Sequence, residues 1–242
     1  HWWLIGLMGV LAGILILSYY SVIAGWILAY VFKSVTGVFA GATATEVSTQ
    51  FTSFTSDWRL VAVSHTFFMG LTIFIVARGI ERGLEQAVRF MVPVLLLLML
   101  MLLGYSMSSG YFAEGLTFMF KPDFDKLTWD SVLAAMGQAF FTLSIGMGCI
   151  MAYGAYLPQD TSITGATAAV VTADTLIAIL SGLVIFPLVF ANGLEPSSGP
   201  GLVFNTLPLA FGQMTGGVVF ATFFFLLLSF AAWTSAISLM EP

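Results

Sequence analysis

The chain has 242 residues, of which 59% are hydrophobic and 8% charged, with a formal net charge of −5. A soluble domain carries about 25% charged residues, so a surface facing water is excluded and the solvent of this chain is lipid. The seven basic residues form no long run, which excludes a nucleic-acid-binding surface of the usual kind.

Six stretches are long and apolar enough to cross a bilayer, whose hydrocarbon core of about 30 Å takes about 20 helical residues. They are 2–32, 60–77, 90–107, 131–156, 166–191 and 218–240. They predict an all-α, polytopic transmembrane bundle forming one domain over 1–242, because a helix satisfies its own backbone groups in lipid. The runs do not alternate polar and apolar residues as the strands of an outer-membrane barrel do. The chain opens at His1 without a signal-peptide pattern and closes at Glu241-Pro242, directly after an apolar run. It therefore reads as a piece of a longer polypeptide.

The first span carries Ile16 and the neighbours Tyr19 and Tyr20. Adjacent side chains leave a helix about 100° apart, so at most one tyrosine faces a given site. The second span holds Ser64-His65, but adjacent residues do not face each other on a helix. No G-x-S-x-G or H-E-x-x-H pattern is present either, so the chain is not read as an enzyme. The short loop 78–89 holds Arg78, Arg82 and Arg89 and is expected to be cytoplasmic. The loop around Pro158-Gln159-Asp160 then lies on the same side, and the connections 34–59, 108–130 and 192–217 face outward. The segment from Gly83 to Pro93 leads into the third span. Proline lacks an N–H and glycine lowers the cost of unwinding. The segment is either a Pro-kinked helix start or a gate that opens to the inside.

The fourth span contains Gly137-Gln138-Ala139-Phe140-Phe141-Thr142-Leu143-Ser144-Ile145-Gly146-Met147-Gly148. Two hydroxyls and two glycines at mid-membrane depth suit close helix packing. They equally suit a helix broken at Ser144 to Gly148, whose freed backbone groups coordinate ions and substrate. Cys149, the single cysteine, is expected to pack as a small apolar residue. In the fifth span Asp174 is the one carboxylate deep in the membrane, where a charge needs a partner or a wet cavity. No Lys or Arg lies within the spans, so a bound cation fits better than an ion pair. In the last span Ala231, Thr234 and Ser235 share one face at i, i+3, i+4. Their oxygens suit a hard cation, although Ser and Thr also bond back to their own helix.

These residues resemble a known family. The fourth-span string, followed by Ala152-Tyr153-Gly154-Ala155-Tyr156-Leu157, is similar to the sixth helix of neurotransmitter:sodium symporters, and most similar to bacterial carriers of hydrophobic amino acids. Ser18-Tyr19-Tyr20 resembles the third helix and Phe230 to Ile237 the eighth. The Gly-x9-Pro spacing from Gly83 to Pro93 resembles the segment before the fifth. The resemblance covers the whole chain, as helices three to eight of the leucine-transporter fold of two inverted five-helix repeats. It implies a sodium-coupled symporter that imports a small hydrophobic or aromatic L-amino acid by alternating access, as a multi-pass protein of the inner (plasma) membrane. A transport-inactive amino-acid sensor of the same fold is the alternative.

By position, the resemblance implies that Tyr20 donates to the substrate carboxylate and that Phe141 closes over the substrate. Ile16, Ser144, Met147, Ser238 and Leu239 would line the side-chain pocket. Thr142 and Asp174 would serve a first sodium site, and the Ala231 carbonyl, Thr234 and Ser235 half of a second. Gln138 would sit in the outer gate, with Gly83 and Pro93 in the inner one. Asp174 falls where animal relatives have asparagine, so its fixed charge would make chloride unnecessary. Met147, often Phe in the family, is softer and leaves the pocket adaptable.

Overall fold

The computed structural model describes residues 2–78, 85–158, 160–196 and 199–240. Every regular element among them is helical. Five helices are long and apolar enough to span a membrane, namely α1 (Trp2–Val35), α3 (Trp58–Val76), α4 (Glu85–Ser108), α8 (Ile163–Ala191) and α11 (Gly217–Met240). The fourth expected span is divided into α6 (Trp129–Thr142) and α7 (Cys149–Ala155). At 1.5 Å per residue α1 is about 51 Å long, so it tilts or projects beyond a 30 Å core. Gly83 of the expected gate segment, Arg82 of the loop just before it, and Gln159 of the next loop lie outside the described residues.

The three long connections are not plain loops. They hold α2 (Ala44–Ser56), α5 (Phe112–Phe120) with a 3₁₀ turn (Phe124–Lys126), and a segment in which α9 (Gly199–Gly201) runs through a π turn (Leu202–Thr206) into α10 (Leu207–Gln213). The start of α2 is set by a capping box. Thr43 Oγ1 accepts from the Glu46 N–H at 3.3 Å, and the Glu46 carboxylate accepts from the Thr43 N–H and hydroxyl, both at 2.8 Å. That pairing satisfies donors a helix start otherwise leaves free.

α1 packs along α11 and α3, α11 along α4, and α4 along α8, with α5 against the far end of α8. Small residues let the backbones touch. A Cβ on Gly25 of α1 would stand 2.8 Å from the His65 nitrogen of α3, and one on Gly115 of α5 would meet the Pro187 ring of α8 at 2.6 Å. The main core is aromatic: Tyr30, Phe204, Phe211 and Phe225 are buried with Met99, Leu102, Leu188 and Leu207. Phe51 of α2 stacks on Phe204 with ring centroids 5.3 Å apart, and Tyr30 stacks on Phe39 at 5.4 Å.

Pro187 has no N–H to give the Leu183 carbonyl one turn earlier, which would leave that oxygen unpaired inside a membrane helix. Ser106, fully buried on α4, donates its hydroxyl to the Leu183 oxygen at 2.7 Å. The proline in α8 is thus compensated from another helix.

Candidate functional site

The break in the fourth span has a defined local cause. Leu143 ends α6 and Ser144 turns left-handed at φ 54°. The Ser144 N–H then bonds the Phe141 oxygen at 3.1 Å and the Ile145 N–H reaches back to Phe140 at 2.9 Å. This is a Schellman ending, whose left-handed position is usually glycine. A serine there is disfavoured by about 1–2 kcal/mol, and such strain collects at functional positions. Gly146 at φ 82° and Gly148 at φ 84° complete the non-helical stretch before Cys149 starts α7.

α1 crosses directly over this stretch. A Cβ on Gly9 would lie 2.9 Å from the Gly148 Cα, and one on Gly13 would lie 3.4 Å from the Leu239 oxygen of α11. Beside the crossing lies a cavity of about 200 Å³ lined by Gly9, Gly13, Leu17, Met147 and Leu239, among others. Met147 and Leu239, both expected in the side-chain pocket, therefore share one cavity. Ile16, Phe141, Ser144 and Ser238 are not among its lining residues. Ile16 is half-buried on α1 and Phe141 exposed at the end of α6. The Ser238 hydroxyl donates to the Thr234 carbonyl at 2.9 Å.

Two polar pairs lie between separate helices. The Thr142 hydroxyl, in the last turn of α6, donates to Asp174 Oδ1 of α8 at 2.8 Å. The Tyr20 side chain of α1 lies close to the Ser235 side chain of α11. On α11 itself Thr234 Oγ1 donates to the Ala231 oxygen at 2.9 Å. That is the back-bonding the sequence left open, yet a carbonyl oxygen keeps a second lone pair for another partner. Gln138 is exposed on α6, which buries none of its residues, and Pro93 lies inside α4. Among the described residues no three His, Cys, Asp or Glu side chains cluster. The oxygens of Thr142 and Asp174, and separately those of Ala231, Thr234 and Ser235, are hydroxyl, carboxylate and carbonyl oxygens, donor types suited to an alkali cation.

Some of this geometry had no warning in the motifs read from the sequence. The Gly9–Gly148 crossing and the Ser106–Leu183 bond depend on which helices meet. A signal for α2 was present, since Thr43-x-x-Glu46 is a capping-box pattern.

The comparisons agree with the geometry. The model of the sodium:neurotransmitter symporter family matches residues 46–242. An uncharacterised sodium-dependent transporter of Bacillus subtilis, YhdH, is 39% identical over 240 residues, covering 99% of this chain and 53% of that protein. A second, from Haemophilus influenzae, is 32% identical and aligns with all of this chain and 54% of its own length. The crystal structure of MhsT in complex with L-phenylalanine superposes with a TM-score of 0.88 at 46% identity, covering 99% of this chain and 55% of that one. The chain thus spans about half the length of the relatives it matches. Fold, membrane character and sequence agree with the resemblance read from the fourth span, and the chain belongs to the sodium:neurotransmitter symporter family.

Proposed function

We propose that the protein containing this chain is a symporter that draws a hydrophobic or aromatic L-amino acid into the cell with sodium across the inner (plasma) membrane. The observation that carries the reading is the broken fourth span, which sets Thr142 against Asp174 while Met147 faces the cavity it shares with Leu239. Helix breaks at the bilayer midplane are where transporters of this kind bind substrates and ions.

In this reading one sodium is served by Thr142 and Asp174, and a second by the Ala231 carbonyl, Thr234 and Ser235. Tyr20 donates to the substrate carboxylate, and its closeness to Ser235 supports coupling between the substrate and the second sodium. Sodium that orders Ser235 also orders Tyr20, so each ligand raises the affinity of the other by the same factor. The fixed charge of Asp174 takes the place of a bound chloride. The solved relative's complex with L-phenylalanine supports an apolar side-chain pocket.

The test is uptake by the full-length protein in liposomes, with an inward sodium gradient and with potassium replacing sodium. Accumulation of labelled phenylalanine or leucine above its equilibrium level only with the sodium gradient is expected. Sodium-dependent binding without accumulation overturns the proposal in favour of a sensor.

A further inference from the structure

The segment from Gly199 to Gln213 lies over one end of the bundle and is fastened to the turn after α1. Gly41 donates its N–H to the Gly212 oxygen at 2.8 Å, and Gln213 Nε2 donates to the Ala42 oxygen at 2.9 Å. A Cβ on Gly212 would collide with the Phe39 carbonyl oxygen. The middle of the segment is the π turn, and π turns recur at functional positions. Pro208 follows two residues later, so the α-type bond from position 208 to the Phe204 oxygen cannot form. Tyr30, fully buried on α1, reaches that oxygen with its hydroxyl at 3.3 Å. The Tyr30 and Phe204 rings meet edge to face at 5.0 Å.

Two more polar atoms belong to the residues of this joint. The Trp26 Nε1–H, a donor one turn before Tyr30, and Asn205 Oδ1, an acceptor next to Phe204, are both buried without a partner among the described residues. The Trp26 ring lies 5.7 Å from the Phe204 ring. The Tyr30 bond is longer than the usual 2.7–2.8 Å or so for two oxygens. The joint therefore holds one long bond, with an unpaired donor on the residue one turn before Tyr30 and an unpaired acceptor on the residue after Phe204. The same helix carries Tyr20 ten residues earlier.

We infer that Tyr30 is a positioning residue for transport: its hydroxyl holds the π turn through the Phe204 carbonyl, to which Pro208 can give no α-type bond, and so ties the Gly199–Gln213 segment to the helix that carries Tyr20. This rests on the symporter reading, and the inference adds that the held segment belongs to the substrate-occupied state.

The test uses full-length protein, with Tyr30→Phe, Pro208→Ala and the double variant. Tyr30→Phe keeps the ring and removes only the hydroxyl, while Pro208→Ala supplies an N–H that can reach Phe204. Amide exchange across 202–213 in nanodiscs should rise three- to tenfold in Tyr30→Phe, the ratio a single hydrogen bond of ordinary strength gives. In the Pro208→Ala background the same change should move it less than twofold. In liposomes the substrate concentration for half-maximal uptake should rise by a similar factor in Tyr30→Phe, because the state with the segment held is less populated, with maximal rate kept. Unchanged exchange, an equal rise in both backgrounds, or raised exchange with unaltered uptake overturns the inference. Failure of the wild type to accumulate any amino acid would instead remove the symporter reading, while the exchange data still report the bond.

Discussion

The Ser106–Leu183 bond yields a quantitative prediction because the oxygen it satisfies has a known origin. Ser106→Ala removes one buried oxygen and leaves the Leu183 carbonyl facing a gap where Pro187 offers no N–H. An orphaned buried polar group costs about 1–3 kcal/mol, while interhelical hydrogen bonds in membranes average about 0.6 kcal/mol and reach about 1.7. The upper part of the membrane range applies, since Leu183 has no alternative donor in its own helix, and a loss of about 1–2 kcal/mol is expected. Pro187→Ala restores an N–H at the one position able to bond Leu183. It also removes a ring packed on Gly115, so on its own it destabilises. In its background, however, Ser106→Ala should lose less than about 0.5 kcal/mol, the remainder being a coupling energy between neighbours. The assay is reversible unfolding of the full-length protein and the three variants in mixed micelles, followed by tryptophan fluorescence. Additivity within about 0.3 kcal/mol would refute the argument that the serine compensates the proline.

Four further outcomes follow from the same structure. Asp174→Ser should make uptake by the full-length protein depend on external chloride; normal transport by the variant in chloride-free buffer removes the charge-substitution idea. Thr234→Ala with Ser235→Ala should raise the sodium concentration for half-maximal uptake about tenfold or more, as loss of about 1.4 kcal/mol implies, before the substrate profile changes; an unaltered sodium dependence rejects the second ion site. Gly9→Ala should destabilise by about 1–3 kcal/mol, as overpacking does, because its Cβ meets the Gly148 backbone rather than a side chain able to move; an unshifted melting temperature argues against that crossing. At the start of α2, hydrogen bonds from the Thr43 backbone and side chain hold the Glu46 carboxyl below its ordinary pKa. The cap's contribution is therefore full above the unfolded value of about 4.3 and disappears as pH falls through the lower folded value. Exchange at 44–50, corrected for intrinsic rates, should rise with acid in the wild type and stay flat in Glu46→Gln; parallel curves refute the role of the carboxylate.

By itself the sequence determined the solvent, the helical class and which stretches are long and apolar enough to span a membrane. Each of those follows from local composition: a run of about 20 apolar residues has no other stable form in lipid. The fourth span is the instructive case. Its glycines and hydroxyls permitted a break or a packing seam, and only the three-dimensional structure chose, through the left-handed Ser144 and the Schellman bonds behind it. Asp174 announced itself as a costly intramembrane charge, but its hydrogen bond to Thr142, 32 positions away, depends on how α6 meets α8. Likewise Pro187 and Pro208 show in the sequence which backbone oxygens lose their N–H partners. That Ser106 and Tyr30 supply the missing donors was decided by tertiary packing, because a side chain 77 or 174 positions distant leaves no periodic trace near the proline it serves.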